Sequence, residues 1–62
     1  MKIIRQDLEN PFEVPVLIQD NATAKEWTTL VDTVTEHYKV GIYEDGTIYL
    51  RVKNCEFRLI KS

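Results

Sequence analysis

The most regular feature of the chain is a helical stripe in which Trp27, Leu30, Val31, Val34 and Tyr38 recur at i, i+3, i+4, i+7 and i+11. This spacing predicts an amphipathic helix from about Ala24 to Tyr38. Its start is marked by Thr23-Ala24-Lys25-Glu26, a capping box in which the Thr23 hydroxyl accepts from the Glu26 amide and the Glu26 carboxylate reaches back. Asn21 is the competing N-cap. Thr28, Thr29, Val31, Thr33, Val34 and Thr35 are β-branched, and each is a poorer helix former than Ala. Such a helix depends on packing its apolar stripe onto a sheet.

After Tyr38 the period changes to two, and loop length decides the register, because a slip of one residue would turn every apolar side chain outward. A two-residue Asp45-Gly46 loop would set the apolar residues of the flanking strands on opposite faces. A three-residue Glu44-Asp45-Gly46 loop, with Gly46 left-handed in a bulge, instead pairs Ile42 with Ile48 and Val40 with Leu50. A two-residue Lys53-Asn54 loop then pairs Val52 with Cys55, Leu50 with Phe57 and Ile48 with Leu59, and Asn is the residue expected to tolerate a positive φ there. The expected core face is Val40, Ile42, Ile48, Leu50, Val52, Cys55, Phe57 and Leu59.

Upstream, Phe12, Val14, Val16 and Ile18 alternate as a strand that Pro15 confines to a sheet edge or breaks. Lys2 to Arg5 form a weaker strand signal. The order β(β)αβββ predicts an α+β fold, a small antiparallel or mixed sheet with one helix packed on one face. The opposite face is expected to be bare.

Composition adjusts this picture only slightly. The 62 residues suit a single small domain with a modest core. The lone Cys55 allows no internal disulfide and suggests a reduced, cytoplasmic setting, and no run of residues is long and apolar enough to span a bilayer. The net charge of -2 conceals two unlike halves. Residues 1–38 carry three basic against seven acidic side chains, and residues 39–62 carry five against three.

On the outward sheet face the registers place Tyr43, Tyr49, Arg51, Lys53, Arg58 and Ile60, with Arg51 opposite Glu56 and Tyr49 opposite Arg58. Three readings follow. The first is ordinary cross-strand pairing, an Arg–Glu ion pair and an Arg stacked on Tyr49. The second is a protein–protein contact, most simply a homodimer, because Tyr and Arg anchor interfaces and a small core gains from association. The third is a nucleic-acid surface on which bases stack on the tyrosines and the cations hold phosphates. The negative net charge and the lack of an aromatic RNA-binding motif weigh against this third reading. The acidic helix face, Glu26, Asp32 and Glu36, reads as a solvated surface.

Catalytic chemistry has little footing. His37 is the only histidine, placed by the pattern near the helix end, and Cys55 points inward as a small core residue. No His/Cys spacing suggests a metal, no glycine-rich loop suggests a phosphate, and no cofactor is expected. The expected function is a non-catalytic interaction or assembly module, with a small nucleic-acid-binding protein as the alternative. Domains of this size often serve as accessory proteins of phages or mobile elements, an expectation from general occurrence that no residue carries.

Overall fold

The structure, a computed structural model, describes residues 1–61. Its elements run β1 (Lys2–Asp7), β2 (Val16–Gln19), α1 (Ala24–Thr33), β3 (Tyr38–Ile42), β4 (Ile48–Val52) and β5 (Cys55–Ile60). The five strands form one sheet in the order β2-β1-β5-β4-β3, with every neighbouring pair antiparallel. The fold is mixed α+β. The N-terminal hairpin docks on β5, making β5 a central strand and leaving β2 and β3 at the edges.

Both C-terminal hairpins adopt the expected registers. Ile42 faces Ile48 and Val40 faces Leu50, and beyond the second turn Val52 faces Cys55, Leu50 faces Phe57 and Ile48 faces Leu59. The first turn closes as a three-residue loop with Gly46 at φ +92°, where Gly46 N–H donates to the Tyr43 carbonyl at 2.9 Å and Tyr43 N–H to the Thr47 carbonyl at 2.8 Å. The Asp45 carboxylate accepts from Thr47 N–H at 2.9 Å. In the second turn the positive φ, +50°, falls on Lys53 and not on Asn54.

Helix α1 starts where the capping box requires. Glu26 N–H donates to Thr23 Oγ1 and Thr23 N–H to Glu26 Oε1, both at 3.2 Å. It ends at Thr33, five residues before Tyr38, which instead opens β3. The Thr28 and Thr29 hydroxyls bond back to the carbonyls of Ala24 and Lys25, and Thr33 to that of Leu30. Such back-bonding competes with the helical ladder, and in a run of β-branched residues a short helix results. His37 therefore lies in the exposed connection to β3, not at the helix terminus.

The core forms where α1 meets the central strands. Trp27 and Ala22 pack with Ile3, Leu50 and Leu59, flanked by Leu30, Val31, Val34, Ile48, Val52 and Phe57. Of the expected core face, Leu50 and Leu59 are buried and Ile48, Val52, Cys55 and Phe57 partly so, while Val40 is 52% and Ile42 71% exposed. Val40 and Ile42 lie on the expected face, but on the edge strand and beyond the cover of the helix. The Phe12-to-Ile18 strand is likewise reduced to Val16–Gln19, because Pro15 breaks the pairing and leaves Phe12 and Val14 in an exposed loop. No helix among the described residues is long and apolar enough to cross a membrane.

Candidate functional site

Among the described residues no second layer covers the outward face, and its own side chains close over it. Its centre is Glu56, fully buried, on central strand β5 between Gln6 of β1 and Arg51 of β4. A buried carboxylate must have all its lone pairs occupied. Tyr43 Oη and Arg58 Nε each donate to Oε1 at 2.6 Å, while Arg51 donates to Oε2 from Nε at 3.1 Å and from Nη2 at 2.8 Å. Each oxygen thus accepts two hydrogen bonds. No buried side-chain nitrogen or oxygen among the described residues lacks a partner. Beside Glu56, the buried Gln6 side chain donates to the carbonyls of Asp7 and Glu13, which ties the connection after β1 to the sheet.

The electrostatics follow from this geometry. Burial alone pushes the Glu56 carboxyl up, but hydrogen bonds from Tyr43, Arg58 and Arg51, together with the nearby Arg58 charge, hold it below its ordinary value of 4.5. The same hydrogen bonds to Glu56 raise Arg51 and Arg58 above the usual guanidinium range. The aromatic rings complete the cover. Tyr43 and Tyr49 have centroids 4.9 Å apart, Arg51 lies over Tyr49 at 5.3 Å and Arg58 over Tyr43 at 5.8 Å. The guanidinium on Tyr49 therefore belongs to Arg51, two residues along the same strand, and not to Arg58 opposite.

Of the residues singled out by sequence, the fold brings Tyr43, Tyr49, Arg51 and Arg58 together around Glu56. Ile60 stands beside Tyr43 and Arg58 in a shallow depression. Lys53 is separate: it sits in the β4–β5 turn and pairs with Glu36 at 3.1 Å. Glu56 itself entered the sequence reading only as the partner of Arg51. The signal for its central role was a single carboxylate placed among two arginines and two tyrosines on one face.

A second surface, missed by sequence, lies on the opposite face. Between α1 and β3 runs an apolar groove of about 460 Å³ lined by Trp27, Thr28, Val31, Val40, Gly41, Ile42 and Ile48. It exists because α1 covers only part of the sheet. Among the described residues, no group of three or more His, Cys, Asp or Glu side chains is placed to hold a metal ion.

Comparison with protein families, curated proteins and solved structures identifies no relative: no family model matches the chain, and neither does any curated protein or solved structure.

Proposed function

We propose that this chain is a non-catalytic assembly module that works by protein–protein contact, in the first instance with another copy of itself. The observation that carries this reading is the exposed apolar margin of β3, where Val40 and Ile42 point to the core side of the sheet but have no cover. A small domain with a modest core gains stability when such a margin is buried against a partner.

The Tyr–Arg face offers less to a partner. Its guanidinium groups and the Tyr43 hydroxyl are already engaged with Glu56, and a partner would have to compete with charge-assisted hydrogen bonds to a buried carboxylate. The same engagement weakens the reading as a nucleic-acid binder, which needs those cations for phosphates.

Sedimentation equilibrium over a wide concentration range and at low and high salt tests the proposal. The expected result is a mass rising from monomer towards dimer with concentration and holding at high salt, as apolar contacts do. A monomer at every concentration, or binding to single-stranded oligonucleotides that weakens as salt rises, would overturn it.

A further inference from the structure

The two edges of the sheet are not equivalent. Strand β2 is four residues long, follows Pro15, and pairs with β1 through a register shift between Ile3 and Ile4. Proline, short length and irregularity are devices that blunt an edge against pairing. Of the devices that blunt an edge, strand β3 carries only a single lysine. It is five residues long, in unbroken register with β4, and carries one charge, Lys39.

The direction of its backbone groups follows from the first hairpin. Tyr43 directs its N–H and carbonyl into the turn, towards Thr47 and Gly46. In an antiparallel ladder these directions alternate, so Gly41 and Lys39 also turn theirs to β4. Tyr38, Val40 and Ile42 then present their N–H and carbonyl groups to the open edge. The same three residues place apolar side chains on the core side of the sheet, all at least 46% exposed. Unpaired backbone and uncovered apolar surface coincide.

We infer that β3 pairs antiparallel with β3 of a second copy about a two-fold axis at Val40, joining the two sheets into one. This inference rests on the assembly reading above and specifies its surface. Charge selects the register. An axis at Lys39 would set two ammonium groups directly opposite each other, which is destabilising. An axis at Gly41 would carry Tyr38 past the end of the partner strand. The axis at Val40 pairs all five residues: Val40 with Val40, Tyr38 with Ile42, and Lys39 with Gly41. It also makes the hydrogen-bonded pairs those whose backbone groups face the edge.

Gly41 completes the fit. It has no side chain, and the ring of Tyr49 lies across it, so closely that a Cβ built there would stand 2.6 Å from Tyr49 Cε2. The Lys39 side chain of one copy, opposite Gly41 of the other, therefore meets no β-carbon, only the hydroxyl end of a Tyr49 ring whose face Arg51 already holds. On the core side, the apolar stripe Tyr38, Val40 and Ile42 becomes continuous between the two copies and closes the mouths of both grooves beside α1.

Amide hydrogen exchange on the full chain at low and high concentration, together with Val40→Pro, tests this. Proline at position 40 removes an N–H that the chain itself does not use, so the fold is expected to survive. The expected result is that the amides of Tyr38, Val40 and Ile42 gain protection as the mass rises, while Val40→Pro weakens association by more than about tenfold. If the wild-type chain associates but those amides stay unprotected, the pairing is wrong and assembly uses another surface. If the wild-type chain stays monomeric, the assembly reading falls as well. The wild-type exchange measurement decides between these outcomes even if Val40→Pro fails to fold.

Discussion

The Tyr43 hydroxyl donates to Glu56 Oε1 at 2.6 Å, so a residue at the mouth of the first hairpin is tied to the central strand two positions away in the sheet. With Arg51 of β4 and Arg58 of the same strand as Glu56 on that carboxylate, three side chains converge on one acceptor. The bonds from Tyr43 and Arg51 tie the end of β3 and β4 to β5 on the outward face. The arrangement also commits the Glu56 carboxylate, the Tyr43 hydroxyl and one side of each guanidinium to one another.

Replacing Glu56 with Ala should be among the most destabilising changes on the outward face. It removes the acceptor for four hydrogen bonds and leaves two guanidinium groups facing each other. The expected loss is about 1–3 kcal/mol, measured by chemical denaturation. A variant as stable as the parent would show that the cluster contributes nothing net, as some buried ion pairs do.

Acid should destabilise the fold through the same residue. The Glu56 carboxyl titrates below its ordinary value in the folded chain, so in the window between the folded and unfolded values the unfolded chain binds more protons. Its contribution is therefore fully present above the ordinary value of 4.5 and is lost as pH falls through the lower folded value. Asp45, also held low by its hydrogen bonds from Thr47, acts in the same direction. Unfolding midpoints measured across this range should fall with pH, and Glu56→Gln should flatten the curve. A Glu56→Gln curve parallel to that of the parent would remove Glu56 as the cause.

Gly41 and Tyr49 should behave as a coupled pair. Gly41→Ala drives a methyl group into the Tyr49 ring and should cost about 1–3 kcal/mol. In a Tyr49→Ala background that clash is gone, and the same substitution should cost little or even stabilise the strand. A double-mutant cycle by thermal unfolding reads the coupling, and additive effects would contradict the packing described.

The capping box gives a local test. Thr23→Ala should lower stability by about 1 kcal/mol, since it leaves the Glu26 amide without its acceptor at the start of a helix with weak intrinsic propensity. An unchanged midpoint would mean that the first turn contributes little to holding Trp27 in the core.

The registers of both hairpins were legible in the sequence because loop length and side-chain parity determine each other. The helix start was legible for a similar reason, as Thr23 and Glu26 interact within one turn. What could not be read was coverage. Parity assigned Val40 and Ile42 to the core face correctly, but burial depends on how far α1 reaches. The single helix packs over the three central strands, on Ile3, Leu59 and Leu50, and does not reach the outer side of β3. The edge is left open. The outward face posed the converse problem: Arg51 opposite Glu56 followed from the register and Arg58 shares its face two residues along β5, but the reach of the Tyr43 hydroxyl from the end of β3 to Glu56 is a side-chain placement that parity does not give.

Which face makes contact is read most directly by one paired measurement. Ile42→Lys places a charge on the open margin of β3, while Ile60→Lys places one on the outward face beside Arg58, away from the Glu56 carboxylate. Sedimentation equilibrium of both variants beside the parent should show Ile42→Lys as a monomer and Ile60→Lys with the self-association of the parent. The opposite pattern, with Ile42→Lys still dimeric and Ile60→Lys monomeric, would contradict the account and assign assembly to the Tyr–Arg face.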